Sequence, residues 1–225
     1  PRVPRLGVRP SSATLAIPFT TRPIGAIVFG HYGDRIGRKK MLILALLILG
    51  LSTFAIGLVP GYAAIGIWAP VAVIIARLLQ GFALGGEWGG AATMVFEYAP
   101  PGKRGFYGTF VQMGNVIGLF SSALIFAVIP HDALLAGYWR VPFLLSIVVL
   151  VVGLVIRYQI DETPLFRKLD KKATMPVLEV LRTGKKAVLL AMGVRTGEII
   201  LGWLVIGFLL SYATRNIGYS STQVL

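Results

Sequence analysis

The stretch "GHYGDRIGRKKMLILALLILGLSTFAIGLV", residues 30–59, sets Asp34 among Arg35, Arg38, Lys39 and Lys40, then runs from Met41 to Val59 without a charge. Those nineteen residues, if helical, rise about 28 Å, close to the ~30 Å hydrocarbon thickness of a bilayer. A charge cluster against so long an apolar run reads as an aqueous turn followed by a membrane span. The rest of the chain repeats the pattern. Apolar runs cover Ala13–Gly30, Met41–Val59, Ile67–Phe96, Phe106–Ile129, Val141–Ile156 and Ala187–Ala213, giving six expected spans. The first is the weakest, carrying Pro18, Arg22 and Pro23. The fifth is short, but Tyr138 and Trp139 suit a membrane interface, and Arg140 and Arg157 are long enough to snorkel.

Composition agrees with that reading. Of 225 residues, 56% are hydrophobic and only 14% charged, and the mean hydropathy is +0.77. Soluble domains carry about 25% charged residues. The expected class is therefore an all-α integral membrane protein whose large-scale partner is the lipid bilayer. A net charge of +13 would suggest nucleic acid in a soluble chain, but here the cations sit in short loops. Loops 31–40, 98–105 and 157–186 hold four, two and eight Lys or Arg; the opposing loops 60–66, 130–140 and 214–225 hold none, one and one. Fourteen against two makes the first set cytoplasmic.

The same sequence excludes several functions. Cysteine is absent, so there is no disulfide framework or thiolate metal site. Neither a metal-ligand cluster nor a nucleophile–His–acid set is present, and "PPGKRG" lacks the first Gly and the Ser/Thr of a phosphate loop. No cofactor, no metal and no enzyme is expected. Residues 1–12, "PRVPRLGVRPSS", carry Arg2, Arg5 and Arg9 on the expected outer side and have no apolar signal core. They read as a non-native or disordered stretch, and the chain as one cut at both ends.

Two sets of polar residues sit inside the spans. In the third, Arg77, Gln80 and Glu87 fall within an arc of about 80°, beside a Gly81, Gly85, Gly89 stripe that suits close helix packing. Glu87 lies about 15 Å deep. In the sixth, Arg195 and Glu198 share a face at about 12 and 16 Å. Ionisable groups there cost at least about 2.5–3.5 kcal/mol each, so they normally face a cavity. Salt bridges that fix helix contacts are the alternative. Arg22, Gln112, Asn115 and Tyr212 are secondary candidates to line a cavity, and His31 reads as a solvated loop residue.

Two spacings are more particular than a basic loop. Gly30, Gly33, Asp34, Arg35, Gly37, Arg38 and Lys39 match the G-x-x-x-D-R-x-G-R-[RK] loop of major facilitator superfamily transporters, between their second and third helices. "EYAPPGKR" adds Glu97 seven residues before Arg104, the E-x6-R arrangement of the same superfamily. With "RLLQGFALGGEWGGAA" (77–92) and "DETPLF", the chain resembles the metabolite:proton symporters, a family of shikimate, 2-oxoglutarate, citrate and proline/betaine permeases. The resemblance covers about residues 20–225, the family's second to seventh helices. It implies a major facilitator-type bundle, with five helices in 13–156, a cytoplasmic linker over 157–186, and the first helix of the second half plus a loop in 187–225. It also implies that Asp34, Arg38, Glu97 and Arg104 form a cytoplasmic charge network that breaks as the bundle opens inward.

The implied function is proton-coupled symport of a small metabolite across a bacterial inner membrane. Arg77, Arg195 and Arg22 outnumber Glu87 and Glu198, a lean toward an organic anion; a zwitterionic osmolyte is the rival. A non-transporting sensor and a channel remain open, and oligomeric state is not readable.

Overall fold

The computed structural model describes residues 8–162, 180, 182–204, 208 and 212–217. The chain divides into two units, Pro1–Thr174 and Met175–Leu225. The first holds α1 (Val8–Ile36), α2 (Arg38–Leu58), the single turn α3 (Tyr62–Ile65), α4 (Trp68–Tyr98), α5 (Arg104–Val128), the short α6 (His131–Ala133) with a π-helical turn over Leu134–Tyr138, and α7 (Arg140–Gln159). The second holds α8 (Lys185–Trp203) and a π-helical turn over Ala213–Ile217. No strand occurs among the described residues.

The first five apolar runs have become helices with ends shifted by a few residues, and the sixth is helical from Lys185 to Trp203. Within the described residues, four helices are long and apolar enough to cross a membrane: Arg38–Leu58, Trp68–Tyr98, Arg104–Phe126 and Ala136–Gln159. These are the second to fifth of the six expected spans; the first and sixth runs include the side chains of residues 13–16 and 198 and residues 205–207, which lie outside the described ones. Helix α1 carries Pro18, Arg22 and Pro23 within its length, and α8 carries Lys185, Lys186, Arg195 and Glu198. Residues 8–12, read as part of a disordered stretch, belong to α1. Residues 1–7, most of the linker (163–179) and the Glu198 side chain lie outside the described residues.

Between α1 and α2 the chain reverses at Gly37, whose φ of 122° disfavours any side chain. Small residues then set how closely the helices approach. A Cβ at Gly85 would strike the Arg22 carbonyl and one at Gly25 the Phe82 carbonyl, so α1 and α4 touch backbone to backbone. Thr21 donates across that seam to the Leu78 carbonyl at 2.9 Å. The expected glycine stripe is out of phase by one position at its cytoplasmic end. Gly81 and Gly85 make the contact, whereas Gly89 faces open space; Gly86 and Gly90 meet Phe29 and Leu42 instead. Leucines fill glycine notches between α2 and α7: Leu150 lies on Gly50, and Leu46 on Gly153. The buried core there is Leu42, Ala45, Ile56 and Leu150.

Helix α2 is also clamped at both termini, by the first residue of α7 and by an acid just beyond its end. Arg140 donates to the Val59 carbonyl at 3.1 Å, at the carbonyl end of α2. The Glu162 carboxylate accepts from the Arg38 and Lys39 backbone N–H groups at 3.2 and 3.3 Å. A cation at the C-terminus and an anion at the N-terminus each oppose the helix dipole.

Candidate functional site

Glu87 and Arg157 form the central pair, with Arg157 Nη2 2.7 Å from Glu87 Oε1 and each side chain 21% exposed. Neighbouring contacts fix the depth. Gly90 lies against Leu42 and Gln80 bonds to Thr53, so Glu87 stands level with about residue 45 of α2, roughly 5 Å from that helix's middle. Likewise Leu150 against Gly50 and Gly153 against Leu46 place Arg157 level with about residue 43. Arg157 therefore lies within the bundle and turns onto Glu87. The sequence reading set it at the interface because the apolar run stops at Ile156, whereas α7 continues to Gln159.

Arg77 takes other partners. Its Nη1 donates to Gln80 Oε1 at 3.4 Å, and Gln80 Nε2 donates to Thr53 Oγ1 at 2.7 Å. Gln80 is only 7% exposed, buried between α2 and α4, where it ties the helices and steadies Arg77. Arg77 and Glu87 share an arc but differ in height: ten residues separate them, about 15 Å. Trp88 donates to Gln112 Oε1 at 3.1 Å, joining α4 to α5. Asn115, three residues on, is exposed. Arg22 is half-buried on α1, its guanidinium carbon 4.6 Å from the Phe19 ring centre. In the second unit Arg195 is half-buried, and Tyr212 stacks on Phe208 at 5.7 Å.

A second cluster sits where α1 ends and α2 begins, the side that the loop charges mark as cytoplasmic. Arg38 pairs with Asp34 at 3.4 Å and with Glu97, joining α1, α2 and α4. Arg35 donates to His31 Nε2 at 3.4 Å. Gly30, Gly33, Asp34, Arg38, Gly89 and Thr93 border a cavity of about 310 Å³. Arg104 stands exposed at the start of α5 and joins no ion pair among the described residues. Sequence reasoning gave Glu162 no role, yet it caps α2 from 124 residues away. Around it, Lys39 Nζ donates to the Tyr158 carbonyl at 2.8 Å, and the Tyr98 hydroxyl to the Asp161 carbonyl at 2.9 Å. The only local signal was two acids following directly on an apolar helix.

The arrangement can be compared with known proteins. Residues 8–199 match the Sugar (and other) transporter family. The chain belongs to that family of major facilitator transporters. This transporter chain is 38% identical over 224 residues to the shikimate transporter of Escherichia coli K12, covering 96% of this chain and 51% of the relative. It is 49% identical over 165 residues to an inner membrane metabolite transport protein of the same strain, covering 72% and 38%. Over 227 residues it is 36% identical to a glycine betaine/proline/ectoine/pipecolic acid transporter of Dickeya dadantii, covering 94% and 45%. In shape it matches the crystal structure of a D-xylose–proton symporter with a TM-score of 0.61 at 20% identity, covering 94% of this chain and 52% of that one. The transporter chain spans about half the length of the curated relatives it matches. The all-α membrane class and the superfamily read from the motifs both hold, and the family is one of transporters rather than enzymes.

Proposed function

We propose that the intact protein is a secondary active transporter of the bacterial inner membrane that couples inward proton movement to uptake of a small organic anion. One observation carries the anionic preference. Two half-buried guanidinium groups in the first unit, Arg22 and Arg77, have no carboxylate partner among the described residues, and Glu87 on the same helix as Arg77 is held by Arg157. Charge held inside a bundle without a counter-ion is costly, and an anionic solute removes that cost when it binds. Arg22 and Arg77 stand about four residues apart in height, roughly 6 Å, by the α1–α4 contacts, so one small ligand can span both. Arg195, Glu198, Tyr212, Gln112 and Asn115 complete the candidate solute- and proton-binding set. Glu87 is the proposed proton carrier, since a carboxylate near the middle of a span changes its interactions most when it takes up a proton.

The relatives support a metabolite substrate of one of two chemistries. One is a carboxylate of the shikimate kind and the other a zwitterion of the betaine kind. The cation excess favours the carboxylate. Uptake of labelled shikimate and of labelled glycine betaine into proteoliposomes separates them. The proposal expects accumulation of shikimate above its external concentration under an inward proton gradient, abolished by an uncoupler. Accumulation of betaine alone refutes the anionic preference, and saturable binding with no uptake refutes transport.

A further inference from the structure

Arg157 and the residues that follow it are fastened at four places within six positions. Arg157 holds Glu87 at 2.7 Å, and the Tyr158 carbonyl accepts from Lys39 Nζ at 2.8 Å. The Asp161 carbonyl accepts from the Tyr98 hydroxyl at 2.9 Å, and the Glu162 carboxylate caps the first two N–H groups of α2. Three of these ties are at the cytoplasmic surface; the first reaches into the bundle. The pair is also incompletely satisfied, since Arg157 Nη1 is buried without an acceptor. Such a group gains by moving as soon as its partner's charge is gone.

There is room for the movement. A cavity of about 240 Å³, lined by Lys39, Leu42, Val95, Gly153, Ile156 and Ile160 among others, borders the Arg157 side chain. Its walls are apolar apart from Lys39 and Arg157, so it gives the long Arg157 side chain space to swing toward the start of α2, where its apolar stem can pack while its head stays with polar groups. Toward the start of α2 the charged groups around the pair are Arg38, Lys39 and Lys40 on α2, Glu97 on α4, Asp34 and Arg35 on α1, and Asp161 and Glu162 just after α7; toward the other end stand Arg77 on α4 and Arg22 on α1. Lys39 is engaged by the Tyr158 carbonyl, and Arg38 pairs with both Asp34 and Glu97.

We propose that Arg157 is the positioning residue through which Glu87 reports its proton: when Glu87 is neutral, Arg157 leaves it, the last turn of α7 loosens, and Glu162 releases the start of α2. The inference rests on the reading of Glu87 as the proton carrier, and it adds where that proton is felt. The start of α2 carries the Arg38–Asp34 and Arg38–Glu97 pairs, so release there loosens the cluster that joins three helices.

Amide hydrogen exchange on the intact protein in nanodiscs reads the release directly. The Arg38 and Lys39 amides are in the first turn of α2, where no intrahelical acceptor exists, so their protection depends on Glu162. At one fixed pH, Glu87→Gln and Arg157→Gln should each lower protection of these two amides about tenfold or more, with amides in the middle of α2 unchanged. Arg157→Lys, which keeps the charge, should restore protection. It should also displace the pH profile of proton-driven accumulation, because a compact ammonium meets a carboxylate differently from a planar guanidinium. A residue that only packs, with no electrostatic tie to Glu87, would leave that profile where it is. If one Gln variant loosens all of α2, the other decides. Unchanged protection at Arg38 and Lys39 in a variant with an intact α2 overturns the proposal, as does an Arg157→Lys pH profile identical to the parent's. Proton-driven accumulation surviving in Glu87→Gln overturns the proton-carrier reading instead, whatever the exchange result.

Discussion

Removing one member of the Glu87–Arg157 pair is the sharpest energetic test of the packing between α4 and α7. The side chains meet at 2.7 Å and each is 21% exposed, so both are largely but not fully withdrawn from solvent. Deleting one partner of a fully buried pair costs about 3–5 kcal/mol, because the other charge is left without compensation. Partial exposure lowers this to about 2–3 kcal/mol for Arg157→Gln. Glu87, left alone, can take up a proton instead, so the penalty is largest at high pH and shrinks as pH falls. The double variant Glu87→Gln/Arg157→Gln leaves no charge behind and should lose about 1 kcal/mol or less. At about 2–4 °C per kcal/mol, the single variant should lower the unfolding midpoint by about 4–12 °C and the double by only a few degrees. Tryptophan-fluorescence melts of the intact protein in detergent at pH 8 measure both. If the double variant loses the sum of the two singles, with a coupling energy below about 0.5 kcal/mol, the pair contributes nothing and this reasoning fails.

Topology gives the next expectation: a cysteine at Lys39 or Lys103 is labelled only from the cytoplasm and one at Gly61 only from outside, and labelling of the Lys103 position from outside reverses the assignment. Asp34→Asn should slow transport strongly while leaving substrate affinity within a few-fold, since Asp34 pairs with Arg38 at a junction of three helices; lost binding at an unchanged rate assigns it to the substrate site instead. Gly85→Leu should separate α1 from α4 and prevent a folded, monodisperse preparation, because even a Cβ there meets the Arg22 carbonyl. A Gly85→Leu protein with parental melting behaviour contradicts that contact. Gly89→Ala is the control, as Gly89 faces open space.

What was legible in the sequence is what depends on local pattern. Hydrophobic length marks a span wherever it lies, so α2, α4, α5 and α7 were found to within a few residues. The Asp34–Arg38 pair is one helical turn long and follows from spacing; Glu97 joining it follows from the superfamily motif. Height and partner are different matters. An arc of 80° grouped Glu87 with Arg77, but only the register of α7 against α2 shows that Arg157 reaches Glu87 first. Counting the apolar run to Ile156 stopped one residue short of that partner. Gln80 looked like a cavity residue because its polarity is visible and the Thr53 hydroxyl 27 residues earlier is not conspicuous. Glu162 was unreadable as a cap because its partners, the Arg38 and Lys39 amides, are backbone groups that leave no mark on composition. Gly89 was misassigned because the four-residue spacing from Gly81 and Gly85 continues to it, while the helices meet one position on, at Gly86 and Gly90.

The central claim is that a proton on Glu87 drives the cycle, and the most direct measurement compares net accumulation with exchange in the same proteoliposomes. Glu87→Gln imitates the permanently protonated side chain. Proton-driven accumulation of labelled substrate should then fall to the equilibrium level, while exchange of internal for external substrate, which moves no net proton, should continue near the parental rate. Accumulation at the parental level in Glu87→Gln contradicts the claim, and loss of both activities assigns Glu87 to substrate binding or folding instead.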